Sequence, residues 1–422
     1  MNSVRAQIRK LPPKAVIKLL RKIFALPAPA ARLILNDITR ARKSHLSWIH
    51  RVKLGTHNQY DWSGCWIGEN IQKLDDQALL KRIYDADIIL FYVHGGGFRI
   101  GSCTMYMDTN IAWINILKEK YGLSCMMMSI DYRLAPEYRY PSPVEDVVKA
   151  YEHLIQKLGV KSENVIVMGD SAGAALALEM LFITHDPSMF EIVIEDSESA
   201  GSHPILQELP RPAGLVLISP LVTDKTNSES WKVNQKYDYI TQYTAKVIKR
   251  DYFEPIHNSQ DEEEQQRILG IAKLETGFKA FMTPEVLMYI GNLEVLRDDA
   301  LQLAMKAEHD GVNWQTVIED FVHDWFCVRE VVKDKEAIKR ADHIFADFCY
   351  RAIKGEKVML TPRLSLLDVI KEEESSIGNS SSSTTSSLFD FKFSKLSILD
   401  NDFSTPHTNS SSKRSSSNIV FV

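Results

Sequence analysis

Gly169-Asp170-Ser171-Ala172-Gly173 fits the pattern G-x-S-x-G, directly after the apolar run Val165–Met168 and before an Ala-rich helical stretch from Ala174. A strained turn between strand and helix lifts a serine hydroxyl above a sheet edge, and flanking glycines allow a close approach that side chains would block. Three such fixed positions arise by chance in roughly one chain of this length in ten, so the pattern needs company. His94-Gly95-Gly96-Gly97-Phe98 supplies it, at the end of the run Ile88–Val93. Consecutive glycines leave N–H groups free to hold the negative oxygen of a tetrahedral intermediate, a role that falls to the amides of Gly96 and Gly97 with that of Ala172. His94, Gly95 and Asp170 are read as supporting residues. The glycines at 95, 96, 97 and 101 match neither G-x-G-x-x-G nor the Walker spacing, which removes a phosphate loop.

Serine is a weak nucleophile near neutrality and needs a base of matching pKa, for which histidine is suited. Of twelve histidines, His323 lies just past the run Thr316–Val322 and after the serine in chain order, whereas His309 and His343 fall in helical patterns. An acid at another strand end, between serine and histidine, would orient the ring. Glu294, four residues past Ile290, is so placed; Asp298 and Asp299 are rivals that also read as the first turn of the next helix.

Elements that could position these groups begin near residue 85, where short apolar runs alternate with amphipathic stretches, the signature of a parallel sheet wrapped by helices. The runs are Ile88–Val93, Leu123–Ile130, Val165–Met168, Leu215–Ile218, Val286–Ile290 and Thr316–Val322. Between the second and third, Val144, Val147, Val148, Tyr151, Leu154, Ile155 and Leu158 keep a helical period. Met126-Met127-Met128 reads as core filling within a strand. Residues 185–212 read as a surface loop, and 225–283, with the acidic run Asp261-Glu262-Glu263-Glu264, as a helical lid.

Taken together the motifs resemble the hormone-sensitive-lipase-like family of α/β-hydrolases. The likeness rests on His94–Phe98, on Asp131-Tyr132-Arg133-Leu134-Ala135-Pro136-Glu137 and on Gly169–Gly173, then on Leu296-Arg297-Asp298-Asp299-Ala300, Gly311-Val312 and His323. It covers about residues 85–330 and implies an α/β-hydrolase fold, with a mostly parallel central sheet flanked by helices and a helical cap. The resemblance places the family's nucleophile on Ser171, its base on His323 and its acid on Glu294. Two departures stand out. The acid is a glutamate where the family usually has aspartate, and Asp324 follows the histidine where the family usually has a small residue, close enough in sequence to influence the imidazole's protonation. By the same likeness Asp131, Arg133 and Glu137 brace loops, and the N-terminal residues join 225–283 in the cap. The implied activity is a serine carboxylester hydrolase that works through an acyl-enzyme with no metal or organic cofactor, on apolar short- to medium-chain, lipid or sterol esters. The alternative is a catalytically silent small-molecule binding protein of the same fold.

Composition sets the frame around this domain. The 422 residues are 45% hydrophobic and 25% charged, which excludes collagen-like, disulfide-scaffold and wholly disordered chains. A net charge of −5 gives no general attraction for nucleic acid. Five cysteines, odd in number and without a C-x-x-C pair, read as free thiols of a reducing compartment. Residues 1–53 hold 13 Lys and Arg against the single acid Asp37, a local balance of +12. Within them Val16, Leu19, Leu20, Ile23 and Phe24 recur at helical spacing between Lys14, Lys18, Arg21 and Lys22. This amphipathic basic helix either lies on an anionic lipid surface or packs over the domain with its basic face solvated. Ile23 to Ala31 is too short to span a bilayer, so the expectation is a cytoplasmic protein, with peripheral attachment to an endoplasmic-reticulum or lipid-droplet surface through residues 1–53 as the further option. The domain proper is expected over 54–356. Residues 357–422 are expected to be a disordered tail, since 17 serines among the last 52 residues leave too little apolar surface to offset chain entropy.

Overall fold

A computed structural model describes residues 10–52, 62–187, 208–253, 271 and 274–355, together with the backbone of residues 419–421. Among the described residues one mixed sheet holds the strands β1 (Ile49–Val52), β2 (Gly64–Ile67), β3 (Ile88–Val93), β4 (Cys125–Ile130), β5 (Val165–Asp170), β6 (Gly214–Ile218), β7 (Glu285–Gly291), β8 (Asn313–Glu319) and β9 (Ile419–Phe421). Their order is β1-β2-β4-β3-β5-β6-β7-β8-β9. The six strands from β4 to β8 in that order run parallel, while β1, β2 and β9 are antiparallel additions at the edges. Apart from β9, the expected tail at 357–422 lies outside the described residues, as do the boundary at residues 53 to 61 and the acidic run at 261–264.

A parallel sheet covered on both faces needs apolar side chains in both directions, which is why its strands read as unbroken hydrophobic runs. Ile89, Phe91 and Val93 of β3 join one core with Val165 and Val167, while Ile88, Leu90 and Tyr92 join the opposite core with Ile166 and Met168. The methionine triplet divides in the same way, Met126 and Met128 on one side and Met127 on the other, as core filling. The helices in chain order are α1 (Pro13–Phe24), α2 (Ala28–Thr39), α3 (Asp76–Tyr84), α4 (Met107–Tyr121), α5 (Ser142–Glu152) and α6 (Ser171–His185), then α7 (Glu229–Asn234), α8 (Gln242–Ile248), α9 (Phe278–Phe281), α10 (Arg297–His309) and α11 (Lys335–Lys354). The first core is covered by α5 and α6, the second by α4 and α11 through Trp113, Leu117, Phe345 and Phe348.

β3 lies between β4 and β5, so the chain reverses its direction of travel across the sheet there, and the carboxyl ends of β3 and β5 stand side by side with Val93 paired to Gly169. Open α/β sheets form their ligand crevice at such a reversal. Above it sit α1, α2, α7 and α8. Pro27 caps α2 and Pro29 occupies its first turn, where a missing N–H costs nothing. α1 turns Val16 and Ile23 into the protein and leaves Lys14, Lys18 and Lys22 exposed, so much of its apolar stripe is covered by the domain. The last strand begins earlier than the run Thr316–Val322 implied: β8 spans Asn313–Glu319, and Phe321 and Val322 belong to the loop beyond it.

Candidate active site

β5 ends at Asp170 and α6 starts at Ser171, whose φ of 49° is the left-handed geometry of a strained turn. The turn works only if α6 can begin hard against β3: a Cβ on Gly173 would stand 2.1 Å from the Val93 carbonyl oxygen. So placed, the Ser171 hydroxyl is 2.8 Å from Nε2 of His323, and Nδ1 of that ring is 2.9 Å from Glu294 Oε2. The neutral ring then donates from Nδ1 to the carboxylate and accepts the serine proton at Nε2. Ser171 keeps 7% exposure, His323 1% and Glu294 none.

Glu294 sits in the turn after β7 and His323 in the loop after β8. Backbone bonds stitch the two loops, from Asn292 N to Glu319 O at 2.7 Å and from Leu293 N to Phe321 O at 3.0 Å. The second carboxylate oxygen of Glu294 accepts from the Ser219 hydroxyl at 3.1 Å and from the Gly291 amide. The rivals face elsewhere. Asp298 accepts from Ser230 N at 2.7 Å and from Arg297 Nε at 2.8 Å, and Asp299 from the Ser228 hydroxyl, so both fasten the start of α7 to α10.

Two further carboxyl groups reach this histidine. Asp238, between α7 and α8, accepts through Oδ1 from the backbone N–H groups of Tyr239 and His323 at 2.7 and 3.4 Å, and through Oδ2 from Val295 N at 2.8 Å. One buried side chain therefore ties the cap to both loops that carry Glu294 and His323; burial pushes its pKa up to about 6. Asp324 Oδ2 lies 3.3 Å from His323 Nε2. Burial by itself would depress the ring's pKa, but Asp324, Glu294 and Asp238 outweigh it and push His323 up to about 10.

Beside the serine, the loop from His94 to Phe98 carries φ values of 109°, 60° and 60° at Gly96, Gly97 and Phe98. A Cβ on Gly96 would meet the Ile100 carbonyl oxygen at 2.1 Å, so the loop admits no side chain there. Asp170, next to Ser171, fastens this loop: it accepts from Gly95 N at 2.8 Å, Tyr92 Oη at 2.6 Å and Tyr106 Oη at 3.1 Å. His94 stacks on Tyr132, whose hydroxyl donates to the His94 carbonyl at 2.8 Å. Arg133 pairs with Asp146 and Glu145, Glu137 with Arg32 of α2, and Asp131 accepts from Cys103 N, which makes the Asp131–Glu137 segment a brace.

The space above Ser171 is a cavity of about 30 Å³, whose lining includes Gly97, His323, Phe24, Trp231 and Ile248. A larger chamber of about 130 Å³ opens between α1, α2 and the domain, among Ile23, Leu35, Met105, Tyr106 and Tyr239. Phe24 belongs to the walls of both, and Gly96 faces the larger one.

The alpha/beta hydrolase fold family matches residues 90–327, more than half the chain. The chain belongs to that family. An esterase of Acinetobacter venetianus is 26% identical to this hydrolase-fold protein over 254 residues, 55% of this chain and 65% of that one. Lipase 2 of a Moraxella species is 26% identical over 275 residues, 60% of each, and arylacetamide deacetylase of Mus musculus is 35% identical over 127 residues, 28% of this chain and 30% of that one. The chain thus spans less than two thirds of the length of these curated relatives. Among solved structures, an esterase from the bacterial hormone-sensitive lipase family shares the fold with a TM-score of 0.58 at 22% identity, covering 81% of this chain and 98% of that one. The Asp131–Glu137, Gly169–Gly173 and His323 motifs all fall inside the matched span.

Sequence reasoning placed Ser171, His323 and Glu294 at three strand ends, and the fold brings them together. It missed Asp238 and Ser219. Asp238 belongs to no motif, and its only signal is an acid set among aromatic and apolar neighbours in Tyr237-Asp238-Tyr239-Ile240.

Proposed function

We propose that this hydrolase-fold protein is a serine carboxylester hydrolase. Ser171 attacks the ester carbonyl while His323 takes its proton, and the amides of Gly96, Gly97 and Ala172 hold the resulting oxyanion. Nε2 then returns the proton to the departing alcohol, and water repeats the sequence to free the acid. Glu294 keeps the ring in the tautomer whose Nε2 is bare and stabilises its charged form. The observation that carries this reading is the unbroken line from Ser171 Oγ to His323 to Glu294, at 2.8 and 2.9 Å. Ala172 stands at the start of α6, where an N–H has no partner within the helix.

The apolar lining of both cavities supports esters with an apolar acyl or alcohol part, short to medium in chain length, with lipid and sterol esters included. A panel of p-nitrophenyl esters from acetate to decanoate tests both points. Hydrolysis by the wild type that disappears in Ser171→Ala supports the enzyme; ligand binding without turnover in the wild type would make it the silent binding protein instead. A lipid-surface role for residues 1–53 is a separate proposal. It rests on their +12 balance and on exposed Leu33 and Ile34 of α2, and flotation with anionic liposomes, with and without residues 1–53, tests it.

A further inference from the structure

Asp324 has no assigned part in the line from serine to acid, yet it is 3% exposed and stands beside the reacting nitrogen. Its placement is specific. The residue holds a φ of 56°, a conformation aspartate tolerates better than most side chains, and its backbone N–H donates to the Ser219 hydroxyl at 3.0 Å. That same hydroxyl donates to Glu294, so one serine fixes both the acid on Nδ1 and the backbone of the residue that reaches Nε2. Asp324 Oδ2 accepts from the Tyr239 hydroxyl at 3.3 Å, and its Oδ1 is buried with no hydrogen-bond partner among the described residues. Within 4.0 Å its one ion-pair partner among those residues is His323. Burial pushes this carboxyl well above the usual carboxylate range, and among the described residues the imidazolium is the one cation in reach to hold it ionised.

We propose that Asp324 is a positioning residue for His323: its carboxylate lies 3.3 Å from Nε2, favours the protonated ring that forms as Ser171 gives up its proton, and thereby sets the acid limit of activity. The inference rests on His323 being the base. Other groups that act on the pair are Glu294 at Nδ1, Asp238 at the backbone of His323, Asp170 of β5, Tyr239 from the cap, and Tyr106 and Cys327 from the walls behind Asp324. Among them the anions Glu294 and Asp238 remain when Asp324 is neutralised, so the ring stays more basic than burial alone would leave it but less so than in the wild type.

The test is the pH profile of kcat/KM for p-nitrophenyl butyrate in wild type and Asp324→Asn, paired with a titration of the ¹⁵N-labelled histidine rings. Removing an anion this close lowers a cation's pKa by about 1–3 units. The acid limb, which tracks loss of the neutral base, moves to lower pH by that amount, and the His323 resonance titrates lower to match. An active variant whose limb and ring pKa coincide with the wild type overturns the proposal, because a merely structural role changes rate without moving either. If the wild type proves to have no esterase activity, the catalytic reading fails, but the ring titration still decides whether Asp324 controls His323. Should Asp324→Asn not fold, Tyr239→Phe removes the carboxylate's hydroxyl donor, leaves it leaning harder on the imidazolium and moves both readouts to higher pH by a smaller amount; no movement in that variant also overturns it.

Discussion

Glu294→Gln removes one charge and one acceptor at fixed shape, and the donors around the carboxylate decide how the new amide must sit. Oε1 receives two donors, the Ser219 hydroxyl and the Gly291 amide, whereas Oε2 receives one, from His323 Nδ1. A glutamine therefore keeps its carbonyl at the Oε1 position and turns its NH₂ toward Nδ1. Donor would then face donor, and the ring escapes by moving its proton to Nε2. In that tautomer Nε2 offers Ser171 a hydrogen it cannot use, and the nucleophile has no base. The loss expected for a triad in the wrong tautomer is about 10³- to 10⁴-fold in kcat, or about 4–5.5 kcal/mol of transition-state stabilisation at 1.36 kcal/mol per decade. Steady-state hydrolysis of p-nitrophenyl acetate and butyrate measures it, with KM near the wild-type value because the substituted group lies behind the ring. Asp298→Asn is the control: its carboxylate serves Ser230 and Arg297, so kcat stays within a few-fold. A Glu294→Gln enzyme retaining more than a tenth of wild-type kcat would refute the assignment.

The same geometry sets four other outcomes. Asp238→Asn leaves at least one of the N–H groups of Val295, Tyr239 and His323 facing a donor, at about 1–3 kcal/mol for a buried orphan; urea denaturation should show the loss and kcat should fall with it. Gly173→Ala forces a Cβ to 2.1 Å from the Val93 carbonyl oxygen, a backbone atom that cannot swing away, and should lower the melting temperature while weakening activity. Burial lifts Glu319 from an ordinary value of 4.5 to about 7. The folded chain thus holds a proton that the unfolded chain gives up, so this group's contribution to stability is full below about 4.5 and lost as pH rises toward 7. Glu319→Gln should accordingly gain in melting temperature over the wild type at pH 8 relative to pH 4. Phe24→Ala opens the wall shared by the two cavities; with two more methylenes buried at about 0.8 kcal/mol each, the kcat/KM ratio of octanoate to acetate should rise about tenfold.

The parts of the fold legible in the sequence are those where a local pattern and a three-dimensional requirement coincide. β3 and β5 announce themselves because a strand buried on both faces must be apolar throughout, and the glycines at 96 and 173 because a Cβ would strike backbone. Glu294 could be placed because the turn after a parallel strand is short. β8 starts before its apolar run because the polar Asn313 and Gln315, on either side of the buried Trp314, are satisfied by β7 and Arg351, while the apolar Phe321 packs in a loop against Trp325. The strands β1 and β2 are four residues each and left no run to read. What covers the apolar stripe of α1 could not be read at all: a stripe records that something apolar lies opposite, and domain and lipid write the same pattern. Asp238 and Ser219 were invisible for a related reason, since their value lies in bonds to backbone and side-chain groups more than fifty residues away.

The central claim is that the Ser171 hydroxyl is a nucleophile made reactive by His323, and active-site phosphonylation tests it most directly. A fluorophosphonate probe added to the full chain should give a single adduct by intact mass, located on Ser171 by peptide mapping, with hydrolysis lost in step; Ser171→Ala should show neither, and His323→Ala should label far more slowly. An adduct on another residue, or ester hydrolysis that persists in Ser171→Ala, would contradict the account.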